Sequence, residues 1–503
     1  MLLLQILYWP FKNILFYRAL YTSKTIYALS TPLGKSAIAI IRISGPESFR
    51  VVETLCPSGK LPKSRYLSLR EIKHPKTGEL LDRACLLLFD GPCSFTGEDM
   101  AEFHLHGGAA VIRSVLDAIA SSHCNVQYAE PGEFSRRSFE NGKLDLTQVE
   151  GVYDIINAET EEQRKLAIRQ IDGSLTRVYE GWREELIDYR CHLEAIIDFA
   201  EDDDINDNIY SQIYKKVEDF VVRLQDYLKM SVRGELLRHG IKISIFGLPN
   251  AGKSSLLNII TRRSVSIVSS EPGTTRDVID VIIDIGGFPV ILSDTAGLRQ
   301  ENNIGFVEKE GIRRAYESIE KASIRICVLD ITDLEANITS LRYLLKSQKI
   351  IDYQSIILVL NKIDLVKPEK YKNLKKIEFL TGIASNFIFP ISCHTNVGIC
   401  DLMLLLNSQL KKIVWSENSQ EIIGINSRHR EHIQKCLDYL HVFLGRFSNE
   451  KYIMLMFKEY NNKDMAIAAE NLRYASDELG KIYEKIDVEE VLDAIFSKFC
   501  IGK

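Results

Sequence analysis

Residues 247–254 read G-L-P-N-A-G-K-S, the spacing G-x-x-x-x-G-K-S of a phosphate-binding loop. The glycines let backbone N–H groups curl around phosphates, Lys253 reaches the β- and γ-phosphates, and the Ser254 hydroxyl ligates Mg²⁺. The apolar run 241–246 before the loop predicts a strand, and 255–261 after it predicts a helix. This arrangement predicts nucleoside triphosphate binding.

Two later motifs narrow the nucleotide to GTP. Residues 294–297 read D-T-A-G after the apolar run 290–292, and residues 361–364 read N-K-I-D after the apolar run 356–360. Asp364 can accept hydrogen bonds from N1 and the 2-amino group of guanine, a pair of donors that adenine lacks. A phosphate-binding loop alone indicates an NTPase, whereas N-K-x-D in this order indicates a GTPase.

The elements that must hold these motifs follow from the apolar pattern. Over 239–410 strands alternate with helices, as a doubly wound nucleotide-binding domain requires. Helical periodicity fills 143–238 and returns over 411–503. The two helical stretches indicate one helical domain with the GTPase domain inserted into it, although terminal helices could equally pack apart.

Short apolar runs broken by turn residues characterise 25–142. They predict strands at 37–43 and 84–89 and a helix at 109–119, and therefore a compact α+β domain. The predicted fold class is a multidomain α/β plus α protein, with an N-terminal α+β domain, a helical domain and an inserted P-loop domain.

Composition fits a large soluble enzyme. The 503 residues suggest roughly three domains, at about 100–200 residues each. A formal net charge of −5 gives no global attraction to nucleic acid, so any RNA contact must use a local basic patch. The ten cysteines form no C-x-x-C pair and show no zinc spacing, which indicates reduced thiols.

Residues 1–24 do not belong to this scheme. The segment is apolar and aromatic, has no acidic residue, and carries Lys12, Arg18 and Lys24. Polar residues and a proline at 10–13 interrupt it too much for a membrane-spanning helix. Three interpretations remain open: a translation start assigned too early, a mitochondrial presequence, or an amphipathic membrane-contacting segment. We expect a cytoplasmic location, or a mitochondrial one if 1–24 is a presequence, and no stable membrane association.

Several stretches outside the GTPase motifs resemble one family. They are 25–32, 37–45, 94–99 with Glu102, 104–108, 129–134, 141–148 and the closing 499–503, which reads F-C-I-G-K. In this order they resemble the motifs of the tRNA modification GTPase family MnmE, also called TrmE. The resemblance extends from about Thr25 to Lys503.

The resemblance implies a three-domain homodimer that acts with an FAD-dependent partner, MnmG (GidA), as a heterotetramer. Together they would add a carboxymethylaminomethyl-type, or related aminomethyl-type, group to C5 of wobble uridine 34 in certain tRNAs. It also implies that the N-terminal domain dimerises and binds a 5-formyl- or methylene-tetrahydrofolate as one-carbon donor. By position, the folate contacts would be Arg42, Glu102, Lys143 and the terminal Lys503. Arginine or lysine suits the carboxylate tail of a folate, and glutamate suits its aminopyrimidinone edge.

The motifs and the resemblance together define a set of residues expected to contact GTP. They are Asn250, Ala251, Gly252, Lys253, Ser254, Ser255, Ser269, Ser270, Glu271, Pro272, Gly273, Thr274, Thr275, Asp294, Thr295, Ala296, Gly297, Asn361, Lys362, Asp364, Ser392 and Cys393. Ser254 and Thr275 would hold Mg²⁺, and Lys253 would also be catalytic. Cys393 replaces the alanine that is usual in the family's base-contacting loop.

Hydrolysis needs a residue that positions water, and Leu298, which follows the D-T-A-G motif, cannot do so. Counting back from Gly311 places Glu308 at the family's catalytic glutamate, with Glu310 and Glu301 as rivals, because two extra residues precede Gly311. All three could instead be solvated charges on a helix.

Potassium could replace the missing arginine finger. Asn250 resembles the asparagine of potassium-dependent GTPases, in which K⁺ occupies the arginine position. Ser269, Glu271 and Thr274 would complete the K⁺ site. The alternative is that Asn250 only caps the turn.

Two other classes of function remain possible from the sequence. The G domain alone would suit a GTP-switched RNA-binding or ribosome-assembly factor without modification activity. A membrane-associated regulatory GTPase would rest only on residues 1–24.

Overall fold

The computed structural model describes residues 24–122, 124–198, 203–263, 280–294, 317, 319–339, 356–372, 374–415, 424–445, 462–484 and 489–503. The chain divides into two compact units. The first unit comprises residues up to Glu150 together with Tyr483–Lys503, and the second unit is Gly151–Ile482. The last residues of the chain therefore pack with the first, whereas the sequence-based boundary groups 411–503 with the helical domain.

The first unit is built on a six-stranded sheet of order β3-β4-β5-β2-β1-β6. Its strands are β1 Thr25–Leu29, β2 Ser36–Ser44, β3 Ser68–Lys73, β4 Leu80–Phe89, β5 Met100–Gly107 and β6 Val126–Tyr128. Neighbouring strands are antiparallel except for β1 and β6, which are parallel. The helices with it are α1 Ser48–Leu55, α2 Ala109–Ala120, α3 Glu133–Glu140, α4 Leu146–Ile156 and, at the C-terminus, α14 Glu489–Phe496. The strands and helix predicted for 25–142 lie within β2, β4 and α2.

Alternate residues of β1 supply two different hydrophobic cores. Tyr27 and Leu29 pack into the larger core with α1 and α2. Ile26 and Ala28 point to the opposite face of the sheet, where they pack against Phe134 of α3. This alternation follows from the two-residue period of a strand. The first unit therefore has a second, smaller core on the face that carries α3.

The second unit contains the predicted doubly wound sheet, of order β12-β11-β10-β7-β9-β8. Its strands are β7 Ile241–Gly247, β8 Asp280–Ile285, β9 Phe288–Asp294, β10 Ile324–Asp330, β11 Ile356–Asn361 and β12 Ile388–Pro390. All neighbours are parallel except β8 and β9. The helices of this part are α8 Lys253–Arg263, α9 Glu369–Lys372, α10 Leu374–Thr381 and α11 Ile399–Val414.

Both faces of this sheet are buried, which explains the nearly continuous apolar runs of β10 and β11. In β10, Ile326 and Val328 enter one core with α8 and α11, whereas Cys327 and Leu329 enter the other. A parallel sheet covered on both sides needs such continuous apolar runs. The carboxyl ends of β7, β10 and β11 then lie at one edge of the sheet, where ligands bind in folds of this kind.

Helices from before and after the sheet pack together in the second unit. They are α5 Glu161–Ile171, α6 Ser174–Asp198, α7 Asp203–His239, α12 Ser427–Gly445 and α13 Asn462–Tyr483. Tyr179 of α6 meets Tyr227 of α7 and His429 of α12 at ring distances of 6.3 and 5.7 Å. Arg430 of α12 forms an ion pair with Glu235 of α7 at 2.6 Å. This packing supports the inserted arrangement. Among the described helices, none combines the length and apolar character that crossing a membrane needs.

Candidate functional site

The phosphate-binding loop joins β7 to α8, and its backbone requires glycine at two positions. Gly247 has a φ of +148°, and a Cβ there would lie 2.2 Å from the carbonyl oxygen of Val328. Gly252 has a φ of +97°, and a Cβ there would lie 2.1 Å from Nδ2 of Asn361. Both positions combine a left-handed backbone with a close neighbour, so a side chain fits at neither.

Four described side chains at this loop and the start of α8 belong to the set predicted to contact GTP and its cations. Lys253 is buried at the start of α8, where its Nζ donates to the backbone carbonyl of Leu248 at 3.0 Å. Ser254 and Ser255, the next two residues of α8, are exposed. Asn250 has a φ of 61°, a left-handed conformation that asparagine tolerates better than most residues. That conformation is a sufficient reason for asparagine at the turn, apart from any role toward a cation.

Asn361 ties the phosphate-binding loop to the base-contacting loop. It ends β11 and is only 2% exposed. Its Nδ2 donates to the carbonyl of Ala251 at 2.9 Å, and its Oδ1 accepts from the backbone N–H of Cys393 at 3.1 Å. Burial raises the pKa of the Cys393 thiol to about 11, so the thiol stays neutral. A single buried amide thus fixes the spacing of both loops.

Asp364 presents a charged acceptor at the same edge of the sheet. Its Oδ1 accepts from the Ser392 hydroxyl at 2.6 Å, and this hydrogen bond lowers the pKa of the carboxyl group. The Ser392 hydroxyl in turn accepts from the backbone N–H of Thr395 at 3.1 Å. Asp364 is exposed, so the ionised carboxylate is open to a base that offers two donors.

Lys362 lies between these two residues with a φ of 70°. Its Nζ pairs with Oδ2 of Asp330, at the end of β10, at 2.6 Å. Although burial opposes the shift, hydrogen bonds from Lys362 and Thr332 lower the pKa of Asp330. The ion pair ties the Lys362 side chain to the carboxyl end of β10.

The remaining predicted nucleotide contacts lie outside the described residues. They are Ser269, Ser270, Glu271, Pro272, Gly273, Thr274, Thr275, Thr295, Ala296, Gly297 and the catalytic candidate Glu308. The backbone of Asp294 is described: it ends β9 in register with Ile245 of β7. The K⁺ site and the Mg²⁺ site therefore stay predictions.

A cavity of about 470 Å³ opens in the first unit and gathers three of the four predicted folate contacts. Its lining consists of Arg42, Arg65, Phe89, Cys93, Ser94, Phe95, Met100, Glu102 and Lys143. The cavity lies on the face of the sheet that carries α3, since Arg42 contacts the ring of Phe134 there.

Arg42 and Glu102 face each other directly across β2 and β5. Nη2 and Nε of Arg42 lie 2.9 and 3.0 Å from Oε1 of Glu102, and Nε2 of His104 lies 3.3 Å from Oε2. The guanidinium also lies 5.5 Å from the ring centre of Phe95 and 5.8 Å from that of Phe134. One part of the cavity lining thus combines an ion pair with aromatic rings.

The loop 94–99 is held at this part of the lining by residues that the sequence reasoning did not assign a role. Glu98 accepts from Nη1 of the buried Arg137 at 3.0 Å and from the Ser44 hydroxyl at 2.8 Å. Nδ2 of Asn141 donates to the carbonyl of Thr96 at 2.7 Å. Most of these residues lie within the motif stretches 37–45, 94–99 and 141–148. Membership of those motifs is therefore the sequence feature that could have pointed to them.

The chain terminus docks close to β1, but Lys503 is not among the residues that line the cavity. The Ser30 hydroxyl donates to the carbonyl of Gly502 at 3.0 Å, and Ile501 forms a β-bridge with Pro131. Gly502 has a φ of +90°, and a Cβ there would lie 2.2 Å from the carbonyl oxygen of Leu29. The terminus thus lies in the first unit, which also holds the cavity, and the role of Lys503 toward a folate stays a prediction.

Two family profiles match nearly the whole chain: the GTP-binding protein TrmE N-terminus over residues 25–143 and the MnmE helical domain over residues 146–500. The chain belongs to the MnmE/TrmE family. As a member it is a GTPase, and the multidomain α/β plus α fold predicted from the sequence is confirmed.

Named MnmE/TrmE relatives are similar over almost the full length. The chain is 43% identical to the 5-taurinomethyluridine-[tRNA] synthase subunit GTPB3, mitochondrial, of Danio rerio, across 95% of this chain and 93% of that protein. It is 39% identical to the tRNA modification GTPase mss1, mitochondrial, of Schizosaccharomyces pombe, across 97% of each. It is 38% identical to the tRNA modification GTPase MnmE of Rickettsia canadensis, across 95% of this chain and 100% of that protein.

Proposed function

We propose that this chain is a GTP-hydrolysing enzyme that modifies C5 of wobble uridine 34 in certain tRNAs. The observation that carries the proposal is the end-to-end similarity to proteins named for tRNA modification, one of them a 5-taurinomethyluridine synthase subunit. The guanine site adds support from geometry, since the ionised Asp364 and the loop-joining Asn361 suit GTP. The group added is of the aminomethyl type, either carboxymethylaminomethyl or a relative such as taurinomethyl.

Hydrolysis would use residues at the carboxyl edge of the second-unit sheet. Lys253 neutralises charge on the β- and γ-phosphates, and Ser254 with Thr275 holds Mg²⁺, for which hydroxyl oxygens are suitable hard ligands. Bound Mg²⁺ supplies further charge neutralisation. Glu308 positions the attacking water. Asn250, Ser269, Glu271 and Thr274 offer oxygen ligands to K⁺, which the exposed turn at Asn250 suits.

The one-carbon donor would bind in the first-unit cavity. Its volume of about 470 Å³ is within the ordinary range for a small-molecule site, and its walls combine aromatic rings with charged groups. Glu102 suits the aminopyrimidinone edge of a tetrahydrofolate, and Arg42 holds that carboxylate in place. A 5-formyl- or methylene-tetrahydrofolate supplies the one-carbon unit when bound.

The partners would be a second copy of this chain, an FAD-dependent protein of the MnmG (GidA) type, and tRNA. The FAD-dependent partner would supply the redox step of the modification. A mitochondrial location is favoured over a cytoplasmic one, because the eukaryotic relatives are named mitochondrial and residues 1–24 carry basic but no acidic residues. Cell fractionation of the full chain and of residues 25–503 would decide between the two locations.

Mass spectrometry of wobble nucleosides tests the main proposal. Cells that lack this protein should accumulate unmodified wobble uridine in the affected tRNAs, and the wild-type gene should restore the modified nucleoside. A Lys253→Ala variant should fail to restore it, whereas Lys435→Ala, which loses only an exposed ion pair with Glu431, should succeed.

A ribosome-assembly factor gives the opposite pattern. Wobble nucleosides would then be unchanged in the deficient cells, and sucrose gradients would show precursor ribosomal subunits. That result would replace the modification proposal with the RNA-binding alternative.

A further inference from the structure

The charges around the first-unit cavity are not balanced. Arg42 and Glu102 neutralise each other across a 2.9 Å ion pair. Arg65 and Lys143 also line the cavity, and neither has a carboxylate partner among the described residues. The cavity therefore holds a surplus of two positive charges, which favours an anionic ligand.

Arg65 occupies a backbone conformation that an arginine seldom adopts. Its φ is 64°, in the left-handed region, where glycine or asparagine is the usual residue. The conformation is held from both ends, since the Arg65 N–H donates to the carbonyl of Leu88 at 2.8 Å and Nη2 donates to the carbonyl of Cys93 at 2.6 Å. Residues kept in such strained conformations concentrate at ligand clamps. A strained backbone at a residue that lines the cavity therefore points to a ligand-binding role for Arg65.

Arg42 is poorly placed to bind a second carboxylate. Two of its nitrogens already bond Glu102, and its plane is flanked by Phe95 and Phe134. Arg65 has five N–H donors, and one hydrogen bond to Cys93 leaves the others for a ligand. Its side chain is also exposed at the cavity, where a flexible anionic tail would reach it.

We propose that Arg65, assisted by Lys143, binds the glutamate-tail carboxylates of the folate, and that the Arg42–Glu102 pair serves the ring end. This inference rests on the folate part of the proposed function. It assigns tail recognition to a residue that neither the motifs nor the family resemblance singled out. It predicts that the charge of the tail, rather than the ring alone, sets the affinity.

A comparison of two ligands on three variants tests this assignment. Isothermal titration would measure the affinity of each variant for 5-formyltetrahydrofolate and for its diamide, in which both tail carboxylates are neutral amides. Arg65→Gln should bind the folate roughly ten- to a hundredfold more weakly than wild type, as expected for lost charged hydrogen bonds, and the diamide with unchanged affinity. Arg65→Lys should recover part of the loss. Arg70→Gln is the matched control, because Arg70 likewise donates to backbone carbonyls, of Ser58 and Lys60, outside the cavity.

Three outcomes would overturn the assignment. Equal folate affinity of wild type and Arg65→Gln would remove Arg65 from the site. An equal loss of affinity for the folate and the diamide, with an unchanged midpoint of thermal unfolding, would mean that Arg65 shapes the cavity without binding the tail. No binding of either ligand by the wild-type chain would also end the inference, and that result alone would refute the folate part of the proposed function.

Discussion

At the scale of single residues, hydrogen bonds within the protein hold the residues of the predicted guanine site in place. Ser392 lowers the pKa of Asp364, and Asn361 fixes the distance between the phosphate-binding and base-contacting loops. Asp364 therefore stays ionised as pH falls through the ordinary aspartate pKa of about 3.9, and its acceptor role fails only in stronger acid. Base recognition by this group should not vary between pH 6 and pH 8.

Asp364→Asn should shift preference from GTP to xanthosine triphosphate. Xanthine carries an oxygen where guanine carries the 2-amino group, and an amide can donate to that oxygen. We expect the ratio of the two affinities to change by at least about tenfold in competition binding, in keeping with one charged hydrogen bond. Asp330→Asn is the control and should leave the ratio unchanged. It removes a carboxylate at the same edge of the sheet, but that carboxylate pairs with Lys362. Unaltered selectivity in Asp364→Asn would exclude this residue from base recognition.

Potassium should stimulate hydrolysis over sodium by at least about tenfold at equal ionic strength, a modest fraction of what arginine fingers contribute. Asn250 has two possible roles: to form the left-handed turn and to offer an oxygen ligand to K⁺. Asn250→Gly separates them, since glycine keeps the φ of 61° but removes the side-chain carbonyl oxygen. Loss of the potassium effect in this variant, with GTP binding retained, would implicate the side chain. Equal rates in both salts for the wild-type chain would count against a K⁺ site.

Glu308→Ala should slow hydrolysis and leave GTP affinity nearly intact, because positioning a water matters in the transition state. Single-turnover rates and nucleotide affinity would be measured side by side. Glu310→Ala is the neighbouring control. If Glu310→Ala is the slow variant instead, the two extra residues before Gly311 have displaced the alignment.

At the scale of elements, the strands and helices near the motifs could be predicted from apolar runs alone. The run 37–43 lies within β2 and the run 84–89 within β4. The helix after the phosphate-binding loop begins at Lys253 rather than 255, because the end of the loop already has a helical backbone. Periodicity could not reveal that Arg42 faces Glu102, since strand register depends on partners distant in sequence. The place of Arg65 at the cavity was equally hidden, because it depends on contacts with Leu88 and Cys93, which are distant in sequence.

The docked C-terminus gives a prediction about an element. Gly502→Ala would place a Cβ 2.2 Å from the Leu29 carbonyl oxygen at a φ of +90°, so the terminus must move. We expect faster amide hydrogen exchange near Ser30 and Ile501, together with normal GTP hydrolysis. Gly78→Ala is the matched control, because Gly78 has a φ of +71° with nothing within 4 Å. Equal exchange in the two variants would show that the contact does not hold the terminus.

At the scale of the whole molecule, the two units have separate hydrophobic cores, and the proposed function assigns one ligand to each unit. The first unit has its own apolar cores, and the second unit has others on both faces of its sheet. Ligand binding stabilises the part that binds it, by about 2.7 kcal/mol at a hundredfold excess over Kd. GDP should therefore raise the thermal transition of the second unit, and 5-formyltetrahydrofolate that of the first. Calorimetry would measure both, and a single transition that responds equally to either ligand would contradict independent units.

Residues 502 and 29 touch although the whole second unit lies between them in the chain. During synthesis, the phosphate-binding strands leave the ribosome long before the last helix does. The nucleotide site can thus fold on a growing chain, whereas the first unit waits for release of its final residues. A chain without residues 489–503 would keep the GTPase sheet but lose the contacts that Ile501 and Gly502 make with the first unit. The first unit, although its strands are made first, is therefore completed only after the nucleotide site has been made.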